Sequence, residues 1–131
     1  MATRATGPFE VKLNLLEPYN KNDPGFGRRS IDKQFHGDLE ATSQGEMLSV
    51  GSASGSGGYV AIERVSGSLH GRKGSFALQH NATMTQGAPY LNIIVVPGSG
   101  NGELTGLSGT MRINIAPGGA HSYEFDYSFE V

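Results

Sequence analysis

The stretch GSFALQHNATM, residues 74 to 84, alternates as a β-strand does and carries one polar group out of place. Phe76, Leu78, His80, Ala82 and Met84 share one face; Ser75, Ala77, Gln79, Asn81 and Thr83 share the other. The first face reads as the core face, yet it holds an imidazole. In the preceding segment, YVAIERVSGSL, Tyr59, Ala61, Glu63 and Val65 fall on one face and Val60, Ile62 and Arg64 on the other. If the Tyr59 face turns inward, Glu63 is an interior carboxylate close to His80. Burial would raise its pKa unless a cation or donor pairs with it. A His and a Glu facing each other in an apolar tunnel make a workable acid–base pair.

Two further groups enter by phase. Glu46 alternates with Leu48 and Val50, which makes it a second interior carboxylate candidate. Lys33 alternates with Ile31 and Phe35 and could pair with a carboxylate inside. The catalytic candidates are therefore His80, Glu63 and Glu46. Tyr59, Phe76, Leu78, Met84 and Lys33 are candidates to line a ligand site.

Each candidate also has a plainer reading. A lone His on an apolar face can be a hydrogen-bonded structural node. Glu63 and Glu46 can each lie on the outer surface. Tyr59 can be a packing residue with a polar tip. The terminal Tyr123, Phe125, Tyr127, Phe129 and Val131 stripe reads as core or an oligomer interface, or as an aromatic cavity wall.

Other chemistry is sparse. The chain has no cysteine, which excludes disulfides, thiolate catalysis and thiolate metal sites. His36, His70, His80 and His121 show no HxH or HxxxH spacing. A metal site would have to assemble across strands from groups such as His80, Glu63 and Glu46, and none is expected. No cofactor site is expected either. GSGNGE, residues 98 to 103, lacks the Lys and the following helix of a phosphate-binding loop, and no GxSxG elbow occurs. Asn81-Ala82-Thr83 matches a glycosylation acceptor, but no secretory signal accompanies it. Arg72 and Lys73 sit in a basic turn, HGRKG, that reads as solvated.

The elements that must position these groups are strands. No window of a dozen residues keeps helical spacing, whereas alternation with period 2 recurs between clusters of Gly, Pro, Asn and Asp. Strands are expected over PFEVKLNLL, over RRSIDKQFHG, which DLEATS either continues or follows as a third strand with QGEMLSVG after it, and over YVAIERVSGSL, the 74–84 stretch, YLNIIVVP, LTGLSGTMRINI and HSYEFDYSFEV. Residues 17 to 27 and GSASGSGG, residues 51 to 58, read as loops. Roughly eight strands with short connections make antiparallel hairpins. An up-and-down barrel of that size removes exposed edges, and its interior is either filled by side chains or holds one small ligand. A sandwich without a cavity is the alternative.

The 131 residues suit a single domain, 1–131, and can bury a real core. A formal net charge of −2 with no basic stripe argues against nucleic-acid binding. No apolar run approaches the ~20 residues of a membrane helix, and the N-terminal MATRATGPFEVKL lacks the apolar segment of a signal peptide, so a cytoplasmic protein without a membrane partner is expected.

Four long phrases, KQFHGDLEATSQGEMLS, GGYVAIERVSGSLHGRKGSFALQH, VVPGSGNGELTGLSG and HSYEFDY, occur in order from about Gly7 to Tyr127. They closely resemble a bacterial family of small proteins of unknown function, domain-of-unknown-function family 3224. The resemblance implies a fold similar to allene oxide cyclase: a small antiparallel barrel with an elongated central cavity. It implies no activity and no catalytic residues. It favours the barrel over the sandwich and, with outward apolar residues such as Ile94 and Val96, a homo-oligomer. Three functions follow as expectations. The first is binding of a small apolar or amphipathic molecule in the lumen. The second is a cofactor-free isomerase, cyclase or lyase moving protons with His80 and a Glu. The third is a structural module whose lumen is filled.

Overall fold

The computed structural model describes residues 2–130. They form nine strands and no helix: β1 (Thr3–Leu16), β2 (Phe26–Phe35), β3 (Leu39–Gly51), β4 (Gly57–Leu69), β5 (Arg72–Thr85), β6 (Ala88–Val95), β7 (Asn101–Gly102), β8 (Leu107–Ile115) and β9 (His121–Phe129). The strands hydrogen-bond in the order β4-β3-β2-β1-β9-β8-β6-β5, and a β4–β5 pairing closes the ring. The result is an eight-stranded antiparallel barrel. The two-residue β7 is an extra strand on the β5 edge at Gly74 and Ser75.

Alternation accounts for most of these elements, and tight turns join them. The β4–β5 and β5–β6 connections are two-residue hairpins, His70-Gly71 and Gln86-Gly87, with all four residues at positive φ. That is the geometry whose twist matches the strands it joins, and a glycine at the second position meets it without strain. Several boundaries shift by one or two residues from the sequence expectation, and two shift further. β1 starts at Thr3 rather than Pro8, because residues 3–9 pair with β9 while residues 9–16 pair with β2. One strand thus serves two neighbours. Residues 104–106 turn rather than extend, and β8 begins at Leu107.

The lumen is unequal along its length. At the end formed by the C-termini of β2, β4 and β9, it is filled by Phe9, Phe35, Leu39, Leu69, Phe76, Tyr123, Phe125 and Tyr127. Phe76 stacks on Phe125 with centroids 5.7 Å apart, and Tyr123 meets Phe35 edge-on at 5.6 Å. The Tyr123 hydroxyl donates to the His36 carbonyl at 2.7 Å and accepts the Leu39 amide at 2.8 Å, which ties this end shut. The terminal aromatic stripe is therefore core; Val131, expected in the same phase, lies outside the described residues. At the opposite end, inward-facing Leu13, Leu15, Met84, Leu91 and Ile115 remain exposed because nothing fills the barrel above them. No helix among the described residues is long and apolar enough to cross a membrane.

Candidate functional site

Four consecutive strands each contribute one polar side chain to a layer between the packed half and the open half. β2 supplies Lys33, β3 supplies Ser43, β4 supplies Glu63 and β5 supplies His80. Glu63 is fully buried, and His80 and Lys33 are 4% and 8% exposed. The carboxylate is the hub. Its Oε2 accepts Lys33 Nζ at 2.8 Å and faces His80 Nε2 at 2.5 Å, while its Oε1 accepts Ser43 Oγ at 2.6 Å. The Lys33 ammonium also lies 5.3 and 5.7 Å from the ring centroids of Phe9 and Phe35. Desolvated contacts of that kind attract a cation to the ring faces.

The approach of β3 to β4 makes room for this hub. Gly45 pairs with Glu63, and a Cβ on it would stand 2.1 Å from the Ile62 carbonyl oxygen and 2.8 Å from Glu63 Cβ. Only a residue without a side chain fits there.

The electrostatics follow from the contacts. Burial alone would raise the Glu63 pKa, but the hydrogen bond from His80 and the positive charge of Lys33 outweigh it and hold the carboxyl at about 2, below its ordinary 4.5. Glu63 is thus ionised. An ionised carboxylate has only acceptors, so His80 must present a protonated Nε2 to it. In the neutral ring this leaves Nδ1 as a lone pair. Nδ1 is directed at the Tyr59 hydroxyl at 3.5 Å, too long for a strong bond. Desolvation, and then the nearby Glu63 charge, raises the Tyr59 pKa, which keeps the hydroxyl a phenol and a donor. Among the described residues no buried polar side-chain atom is left without a partner.

Tyr59 separates this layer from the open end. There the barrel widens into a cup of about 540 Å3, lined by Arg29, Met47, Tyr59, Ala82, Met84 and Leu91 among others. The volume is in the range of small-molecule sites and the walls are chiefly apolar. A groove of about 620 Å3 on the outer surface spans β1–β4, but most of its lining residues are polar or charged outer-face groups such as Glu10, Lys12, Asp32, Gln44 and Arg64. The cup is the better candidate because apolar walls and a half-buried hydroxyl converge in it.

The sequence-predicted residues divide among these regions. Glu63, His80 and Lys33 meet in the buried layer, and Tyr59 and Met84 line the cup. Phe76 and Leu78 also point inward, but they belong to the packed half rather than to the cup. Glu46 is corrected: it faces outward, and its carboxylate pairs with Arg28 at 2.7 Å on the surface. Its in-phase neighbours Leu48 and Val50 are exposed outer-face residues. The inward phase of β3 is Leu39, Ala41, Ser43, Gly45 and Met47, whose small members made it look like the outer face. Ser43 and Arg29 escaped the sequence reading. Arg29 had a signal, since it extends the Ile31 and Lys33 phase; Ser43 had none apart from its spacing to Leu39 and Ala41. No group of three or more His, Asp or Glu side chains among the described residues is arranged to hold a metal.

Comparison with known proteins yields a family and a fold relative. The profile of the family described as protein of unknown function (DUF3224) matches residues 5–127. The crystal structure of a protein of unknown function from that family in Shewanella oneidensis MR-1 is 54% identical, covers 100% of this chain and 99% of its own, and superposes with a TM-score of 0.95. No curated protein matches the chain. The match over nearly the whole barrel shows that the chain belongs to the DUF3224 family.

Proposed function

We propose that the open end of the barrel binds one small, largely apolar or amphipathic molecule. The observation that supports this is the cup itself: inward-facing Met84, Leu91 and Ile115 are exposed there, although a barrel this small can fill its own lumen, as the other end does. Large apolar side chains exposed together on a concave surface are a mark of a binding site. The allene oxide cyclase-like architecture expected from the sequence, with its elongated cavity, belongs to the same proposal.

Nile red, a neutral dye that brightens in apolar sites, tests it. Saturable binding to the folded protein is expected. Ala82→Trp, which fills the cup from β5, should abolish it, and Glu46→Gln on the outer surface should leave it unchanged. A saturable signal that survives Ala82→Trp places the dye elsewhere and sinks the reading.

A second reading is favoured by the chain Glu63–His80–Tyr59. A carboxylate that fixes a histidine tautomer, with the other ring nitrogen directed toward a phenol at the cup, is an arrangement for proton transfer. Tyr59 would take a proton from a bound molecule as it passes its own to Nδ1, with the imidazolium held by Glu63. A long-chain methyl ketone in deuterium oxide probes this. Exchange at the carbon next to the carbonyl, catalysed by the protein and lost in His80→Asn, would support it. A rate equal to that of buffer alone would leave binding without turnover.

A further inference from the structure

Arg29 stands on the inward face of β2, in register with Met47 on β3 and Leu15 on β1. It lines the cup. Its neighbour Arg28 points outward and is engaged, with Nε 2.8 Å from Glu46 Oε1 and Nη1 donating to the Glu17 carbonyl. Arg4 is likewise held by Asp126 and Glu124, and Arg64 donates to the Ser99 carbonyl. Arg29 forms no ion pair and donates no side-chain hydrogen bond among the described residues. Its Nη1 comes within 3.4 Å of where a Cβ on Gly27 would be, so the absence of a side chain at Gly27 leaves the guanidinium room at the rim.

A guanidinium in an apolar cup with no carboxylate beside it is suited to receive an anion. A guanidinium presents a planar fork that matches carboxylate and phosphate oxygens, and in apolar surroundings such a pair is stronger than in water. The cup holds no carboxylate of its own among its lining residues, and the buried Glu63 is already committed to Lys33, Ser43 and His80.

We propose that the ligand is an organic anion, with a carboxylate or phosphate monoester head bound by Arg29 and an apolar body lying against Met47, Met84 and Leu91. This rests on the cup reading above and specifies the class of molecule. It also sets the orientation. The register row Arg29–Met47–Ala61–His80 crosses four adjacent strands, so a head held at Arg29 lets the body run across the cup toward Tyr59.

Displacement of Nile red near neutral pH by decanoate, decyl phosphate, decanol and decylammonium tests it. Decanoate or decyl phosphate should compete about tenfold or more better than decanol, the strength of a charge-assisted hydrogen bond, and decylammonium should compete worst. The two anions separate a carboxylate-headed from a phosphate-headed ligand. Arg29→Gln should abolish the preference for anions and leave decanol unaffected, while Arg28→Gln, which removes the same charge from the outer face, should leave the preference intact. Equal competition by decanoate and decanol in the unaltered protein overturns the anion proposal and leaves the cup reading standing. So does a preference that survives Arg29→Gln. Failure of Nile red and of all four competitors to bind overturns both.

Discussion

Glu63→Gln is the sharpest perturbation of the buried layer. The substitution keeps the volume and removes the charge, so the Lys33 ammonium, 8% exposed, is left without a counter-ion between two phenylalanine rings. Breaking one partner of a buried pair costs about 3–5 kcal/mol, because the remaining charge stays desolvated. The lowered pKa of the carboxyl arises from the same partners and points to the same scale. A folded-state value of about 2 against 4.5 corresponds to about 3 kcal/mol of stabilisation. Because the folded-state pKa is the lower one, that stabilisation is complete above the unfolded value of 4.5 and is lost as pH falls through about 2. Urea unfolding at neutral pH should therefore show a loss of about 3 kcal/mol or more, and a fall in Tm of roughly 10 °C. The difference between the two proteins should shrink steadily from about pH 5 downward. Lys33→Met in the Glu63→Gln background removes the stranded charge and keeps an apolar chain against Phe9 and Phe35; it should recover at least half of the loss. A Glu63→Gln protein within about 1 kcal/mol of the parent, or a double variant no more stable than the single one, would refute the account of a buried charge held by its partner.

Gly45→Ala should destabilise the barrel by several kcal/mol, because the added Cβ meets the Ile62 carbonyl oxygen at 2.1 Å and neither strand can yield without moving Glu63; thermal unfolding measures it, and a near-neutral result would show that β3 and β4 separate easily. Glu46→Ala should change stability by less than about 1 kcal/mol in the same assay, since its pair with Arg28 is solvated, and a larger loss would return Glu46 to the list of structural carboxylates. A homo-oligomer is proposed to form through the outer faces of β3 and β4, where Leu48, Val50, Val60 and Ile62 are 42–56% exposed side by side. Sedimentation velocity should find an assembly larger than one chain that Val60→Lys with Ile62→Lys dissociates, and a single-chain species before substitution would end that proposal.

Much of this architecture was legible in the residues. Alternation located the eight barrel strands to within a few residues. The apolar phase of 76–84 correctly turned His80 inward, and the Tyr59, Ala61, Glu63 and Val65 face proved to be the lumen face of β4. At β3 the more apolar face lies on the outside. Leu48 and Val50 sit on the outer surface, and the true inward face is built of Ala41, Ser43 and Gly45, residues with little or no apolar bulk. Phase identifies two faces but not which one is buried, and hydrophobicity chooses correctly only when the core face is the more apolar of the two. Small residues on β3 suit the lumen because the Glu63 side chain and its partners already occupy the space opposite.

Local sequence determined the strands, their hairpins and the two-residue turns, because backbone geometry and side-chain alternation act over a few residues. It also pointed to three of the four polar groups of the buried layer, Lys33, Glu63 and His80, but not to Ser43. The registers of three successive strand pairs, β2–β3, β3–β4 and β4–β5, decided that Lys33, Ser43, Glu63 and His80 meet, since Lys33 and Glu63 are 30 positions apart in the chain and are joined through β3 between their strands. Closure of the barrel decided that one end is filled by six aromatic rings and the other is left open as a cup. The filling of a lumen depends on the summed volume of side chains from every strand at one level, a quantity that no single segment contains.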